Sequence, residues 1–328
     1  MDVPLWVWGA SVAGVVGLIA FDMVVHVRSP HVPTMGETAR WLGFYVSLAA
    51  VFGVAMGMVW SWPHAGEYLA GYVTEESLSF DNMFVFLLII TRFAVPRVEQ
   101  SKVLLVGIAI ALALRAVLIV AGAAAISAFS WVFFLFGGFL LYTAATLVRG
   151  KKDNSADDAA PRDPWLVRVV RRLVPTTGEF HGDRLTVVLD GRRHVTPMLL
   201  VMVAIGSVDV LFALDSIPAI FGLTKEAYIV FMANAFALMG LRQLYFLLDG
   251  LLSRLVYLHI GLAVILGFIG VKLILEALHT NELPFLGGGR PIEWAPEIPI
   301  PVSLGVILGT LAVVSVASLI KTRRSGTR

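Results

Sequence analysis

A chain of 328 residues that is 58% hydrophobic and 15% charged contains several uncharged apolar runs of about 20 residues, the length that crosses a ~30 Å hydrocarbon core. The absence of cysteine excludes disulfides, thiolate metal ligands and thiol redox chemistry. The formal charge of +2 comes from basic residues in the loops, so no nucleic-acid partner is expected.

Apolar runs between charged or Pro/Gly-rich breaks predict nine helices, at 5–27, 41–62, 68–90, 103–125, 128–148, 197–221, 227–248, 255–275 and 300–320. The fold class is therefore all-α polytopic membrane protein. The first run has no basic residue ahead of it and carries Asp22 near its end, so it reads as a retained first helix and not a cleaved signal. With the N-terminus outside, twenty Lys and Arg fall on inner segments, and only Lys225 and Arg290 fall outside. Basic residues collect on the cytoplasmic side. The expectation is a multi-pass protein of the inner (plasma) membrane, N-terminus outside, with a basic cytoplasmic tail at 321–328.

An N-terminal membrane half, 1–148, and a C-terminal one, 197–320, flank a long inner loop, 149–196. Residues 151–163 are charged and Ala-rich. Trp165 to Leu173 places apolar residues at helical spacing opposite Arg168, Arg171 and Arg172, which suits a helix lying on an anionic leaflet or one packed on the loop's own fold. Thr186–Leu189 and Arg192–Thr196 flank Asp190-Gly191, the dipeptide of a tight hairpin turn. Residues 281–299 are rich in Pro and Gly and read as an irregular outer loop.

Two stretches inside predicted spans carry the unusual chemistry: Glu75-Glu76-Ser77-Leu78-Ser79-Phe80-Asp81-Asn82 and Asp209-Val210-Leu211-Phe212-Ala213-Leu214-Asp215-Ser216-Ile217-Pro218. Shifted by 134 they superpose, Glu75 on Asp209, Asp81 on Asp215 and Asn82 on Ser216. Helices 4 and 7 share Ala-Leu-Arg115 and Gly-Leu-Arg242 at an offset of 127, and unequal loop lengths account for the difference. Helices 3–5 thus match helices 6–8. Three-helix units re-enter the membrane in opposite senses, so this is an inverted repeat, an architecture that sets substrate near the midplane.

Ionisable side chains at that depth cost at least ~2.5–3.5 kcal/mol each and mark function by default. Four acids, Glu75, Asp81, Asp209 and Asp215, face two charge-compensating arginines, Arg115 and Arg242, and the surplus matches one divalent cation. The other reading is a set of structural ion pairs. Acids six apart point about 240° away from each other on a helix, so each needs its own partner. Glu75, Ser79 and Asn82 form one stripe, as do Asp209, Ala213 and Ser216. Pro218 is expected to kink or unwind its helix and free carbonyl oxygens. Carboxylate, amide, hydroxyl and carbonyl oxygens are hard ligands for Mn²⁺, Ca²⁺ or Mg²⁺. Asp22 reads as a solvated helix-end charge or a ligand, Glu76 lies off the Glu75 stripe, and Lys272 and His259 lie where side chains snorkel.

These motifs, with Glu179-Phe180-His181-Gly182-Asp183-Arg184 and Gly240-Leu241-Arg242-Gln243-Leu244-Tyr245-Phe246, resemble the TerC/Alx family of bacterial integral membrane proteins over roughly residues 15–280. The resemblance implies a LysE-type transporter fold and metal-ion homeostasis, chiefly manganese export, with an association with tellurium resistance. It carries over Glu75, Asp81, Asn82, Asp209, Asp215 and Asn234 as metal-path residues. It departs at Gly206, where the family pattern has an acid three residues before the first aspartate of the second motif.

The reading is a divalent-cation exporter, Mn²⁺ foremost, working by alternating access with possible proton exchange. No enzymatic activity or bound cofactor is expected, and the partners are the bilayer, the cation and protons. Two alternatives belong to other classes. One is a non-transporting membrane scaffold in metal or tellurium stress. The other is an intramembrane aspartyl hydrolase pairing Asp81 with Asp215, against which no Gly-x-Gly-Asp phrase is present.

Overall fold

The structure, a computed structural model, describes residues 1–27, 33–129, 131–149, 167, 172, 174–180, 182, 184–189, 192–248, 257–279, 292, 295, 296 and 298–325. Nine long helices run through them: α1 (Leu5–Val27), α2 (Met35–Val59), α3 (Trp62–Arg92), α4 (Arg97–Ala128), α5 (Val132–Arg149), α6 (Pro197–Phe221), α7 (Ala227–Leu248), α8 (Leu258–His279) and α9 (Ile300–Ser325). The protein is an all-α polytopic membrane protein. Seven of the nine, all but α3 and α5, are long and apolar enough to cross a bilayer. The apolar part of α5, Val132–Val148, is shorter, and α3 carries Glu67, Glu75, Glu76 and Asp81 within its 31 residues.

Several helices outrun their apolar cores. α2 begins at Met35 because the Thr34 side chain accepts from the Glu37 backbone N–H at 3.3 Å, satisfying a first-turn donor. α3 begins at Trp62 with Pro63 in its first turn, where the missing N–H costs nothing. α6 stays helical through Pro218 and ends at Phe221, so the expected unwinding does not occur. The proline sits in the last turn, and the Gly222 N–H closes back on the Pro218 carbonyl at 2.9 Å.

The helices pair in a defined order. α3 lies along α7, α4 along α6, and α5 along α8, while α3 also touches α6 and α4 touches α7. α2 covers α7 and α3, α1 leans on α4, and α9 closes over α3 and α8. In lipid, helices associate through close packing of small residues, and the α5–α8 crossing shows it. A Cβ on Gly137 would lie 2.8 Å from the Gly270 carbonyl, and one on Gly270 would lie 3.0 Å from the Gly137 carbonyl. α1, α2 and α9 turn large apolar side chains outward, among them Val16, Val51, Val54, Val313 and Val316, as helices facing acyl chains do.

The predicted hairpin is present as β1 (Thr186–Leu189) and β2 (Arg192–Val195), antiparallel with Thr186 opposite Val195. Its turn residues, Asp190 and Gly191, lie outside the described residues. So does the predicted 165–173 helix apart from Val167 and Arg172. Val167 is fully buried in the main core.

Candidate functional site

The centre of the bundle is organised by Arg115 on α4. Its side chain is wholly buried and donates through all three guanidinium nitrogens. Nε and Nη2 hold the two Asp209 carboxylate oxygens of α6 at 2.8 and 2.9 Å, a bidentate fork that lysine could not reproduce. Nη1 donates to Glu75 Oε1 on α3, to Asn234 Oδ1 on α7 at 2.8 Å and to Ser216 Oγ on α6 at 3.3 Å. Four helices therefore meet on one side chain. Asn234 donates its own amide to the Val230 carbonyl at 2.9 Å, which fixes its oxygen toward the guanidinium.

The stripe argument holds on α6, since Asp209 and Ser216 share the face that meets Arg115. Asp215, six residues beyond Asp209, has a different partner. It is half-buried and accepts from Thr143 Oγ1 of α5 at 3.1 Å. On α3, Glu75, Ser79 and Asn82 are all buried. Glu75 Oε2 and Ser79 Oγ have no hydrogen-bond partner among the described residues. The side chain of Asp81 lies outside the described residues.

Two expectations need correction. Arg242 does not compensate Asp209 or Glu75, because Arg115 holds both. Arg242 instead donates from Nη2 to Asp22 of α1 at 3.3 Å. With its amide oxygen toward the guanidinium, Gln243 accepts from the same nitrogen at 2.9 Å. Asp22 is accordingly no solvated helix-end charge but a buried one. The second concerns the described acids: Glu75 and Asp209 meet on Arg115, whereas Asp215 lies on Thr143. Among the described residues, no group of three or more His, Asp or Glu is placed to hold a metal ion, and the oxygens that come together are those of Glu75, Asp209, Ser216 and Asn234.

The peripheral residues fall where their chemistry is satisfied. Glu76 accepts from Tyr72 at 3.1 Å, off the Glu75 stripe, and lies against Gly240 of α7. Lys272 Nζ reaches Ser303 Oγ of α9 at 3.3 Å. At Gly206 a Cβ would lie 2.9 Å from Ile110 of α4, so the absent acid of the family pattern corresponds to a close α4–α6 contact.

An all-helical, multi-pass chain that buries two carboxylates and an arginine at the convergence of four helices defines an integral membrane protein with an internal polar site. It belongs to the integral membrane protein TerC family, whose profile it matches over residues 60–326. It is 49% identical over 312 residues to an uncharacterized membrane protein of Mycobacterium tuberculosis, covering 95% of this chain and 78% of that protein. To an uncharacterized membrane protein of Myxococcus xanthus it is 40% identical over 324 residues, covering 98% and 94%. To Alx of Escherichia coli (strain K12), described as a candidate membrane-bound redox modulator, it is 36% identical over 313 residues, covering 93% and 91%. No solved structure matches the chain.

Proposed function

We propose that this protein exports a divalent cation, Mn²⁺ foremost, from the cytoplasm across the inner (plasma) membrane, using the Glu75–Asp209 centre. The observation that carries the reading is the meeting of these two acids. They are equivalent positions of the two sequence stretches, arrive from different helices, and leave one carboxylate charge in excess of Arg115. Glu75 Oε2 and Ser79 Oγ supply further oxygens that no described group engages. All are hard ligands of the kind Mn²⁺ accepts. No cofactor or enzymatic step is invoked. Asp215, Asn82 and Asp81 line the same helices and are assigned to the path of the ion.

Alternating access between two inverted three-helix units is part of the proposal. The packing supports it: exchanging α3, α4 and α5 for α6, α7 and α8 turns the α3–α7 contact into the α6–α4 contact and maps α5–α8 onto itself. Gly137 and Gly270 touch each other, as a pair related by a twofold axis between α5 and α8 would. Their side-chain neighbours are reciprocal as well, Ile274 for Gly137 and Leu141 for Gly270. The orientation proposed, N-terminus outside and residues 150–195 cytoplasmic, rests on the basic-residue asymmetry. Single cysteines introduced into this cysteine-free chain test it. Labelling at position 155 by an impermeant reagent on intact cells contradicts it.

A specific observation favours a second reading, a non-transporting scaffold. Arg115 already satisfies three carboxylate oxygens, as a purely structural ion-pair network would. Thiol redox chemistry, whatever its place in relatives, is closed to this chain by the lack of cysteine. Flux decides between the readings. Liposomes holding the purified protein should pass Mn²⁺, with Ca²⁺, Mg²⁺ and Zn²⁺ as comparisons. Cells lacking the protein should accumulate manganese when challenged. If calcium or magnesium responds while manganese does not, the ion is wrong and the site stands.

A further inference from the structure

We infer that Arg115 is a tethered counter-cation: it occupies the site when no cargo is bound, the incoming cation displaces it from the carboxylates, and its return limits the empty carrier to one net charge, so that it reorients without a proton. This rests on the transport reading above and concerns how that site is emptied.

The argument starts from the acceptors. Arg115 uses five of them, Glu75 Oε1, both Asp209 oxygens, Ser216 Oγ and Asn234 Oδ1. The three carboxylate oxygens are the ones a hard divalent cation would take first at this centre, so guanidinium and cargo compete for them. A guanidinium stays charged at any physiological pH, and its compensation of one of the two carboxylate charges therefore requires no proton uptake. An uncompensated carboxylate at bilayer depth is costly, which makes an empty carrier slow to change its facing state unless something neutralises it. Arg115 offsets one of the two charges from within the chain, leaving one net negative charge on the empty centre against one net positive charge when a divalent cation is bound.

The surroundings provide for the displaced position too. Ser216 and Asn234 are neutral acceptors that only Nη1 engages, and Asn234 is held in orientation by the Val230 carbonyl. The guanidinium keeps these contacts when a cation takes the carboxylates. Among the described residues no second arginine contacts these acids, and Arg242 is engaged by Asp22.

The test separates two transport modes in liposomes with the membrane potential clamped. Equilibrium Mn²⁺ exchange requires only the loaded carrier to reorient, whereas net Mn²⁺ flux into a Mn²⁺-free lumen requires the empty one to return. Wild type should do both, and its net flux should not change when a pH gradient is imposed or collapsed. Arg115→Gln should lower net flux far more than exchange, the ratio of the two falling on the order of a hundredfold, the factor that corresponds to one further uncompensated charge at the bilayer centre. Arg115→Lys should restore net flux. An Arg115→Gln protein that keeps both modes, or one that folds and loses both equally, overturns the inference. If Arg115→Gln fails to fold, the wild-type measurement decides: net flux that follows the proton gradient overturns it, and indifference supports it. Wild type without exchange removes the transport reading and this inference with it, a result distinct from wild type that exchanges beside an unaffected variant.

Discussion

Arg115 and Arg242 stand at equivalent places in the proposed repeat, yet one is saturated and the other is not. Arg115 makes five hydrogen bonds to three neighbouring helices. Arg242 holds Asp22 at 3.3 Å, with Nε and Nη1 unpartnered among the described residues. The position equivalent to the Arg115–Asp209 pair would put Arg242 on Glu75, but Glu75 is turned toward Arg115. A repeat that is symmetric in helix pairing is therefore asymmetric in charge pairing. On the proposed reading Arg115 alone serves the central acids, and α1, a helix outside the proposed repeat, takes up Arg242 through Asp22.

The comparison is broken hardest at the acids. Glu75→Gln or Asp209→Asn should lower Mn²⁺ flux by at least about a hundredfold, as loss of a charged ligand at a buried centre does. Asp215→Asn should also nearly abolish flux while leaving detergent stability close to wild type. Its partner is a neutral hydroxyl, Thr143, so no charge is stranded. A stable, fully active Asp215→Asn protein removes it from the ion path.

Next in size is the peripheral pair. Arg242→Gln strands Asp22 in the bundle and should cost roughly 3–5 kcal/mol of stability, measured by thermal unfolding in detergent. A double-mutant cycle with Asp22→Asn should recover roughly 1–3 kcal/mol of coupling. Flux of whatever protein folds should persist, because Arg242 does not touch the central acids.

The α5–α8 crossing sharpens the symmetric side of the comparison. Gly137→Ala and Gly270→Ala each drive a methyl against the other's carbonyl and should destabilise by a matching ~1–3 kcal/mol. Unequal losses would argue against a twofold axis there. The smallest effect is local: Thr34→Ala removes the α2 cap and should cost about 1 kcal/mol.

How legible this was in the sequence differs by layer. The helices, the hairpin strands and the rare acids at bilayer depth follow from apolar run length, turn chemistry and the cost of buried charge. Helix ends were missed where polar turns continue an apolar core, although Thr34 with Glu37, and Ser61 ahead of Pro63, carried readable start signals. The partners of charged residues were not legible. Nothing in one dimension says that α1 docks where Asp22 meets Arg242, or that a single arginine spans two acids. Gly206 read only as a missing ligand, whereas Ile110 of α4, 2.9 Å from where its Cβ would be, gives it a packing role. Pro218 leaves the Leu214 carbonyl without its helical donor, and α6 runs on for only three residues beyond it, to Phe221.

The central claim, that the Glu75–Asp209 centre carries a divalent cation, is tested most directly by Mn²⁺ flux into liposomes containing wild type beside Asp209→Asn at matched, folded protein levels. The account predicts saturable wild-type flux and a folded variant with almost none. Wild-type liposomes no leakier to Mn²⁺, Ca²⁺ or Mg²⁺ than protein-free ones, or an Asp209→Asn protein that conducts as well as wild type, would contradict it.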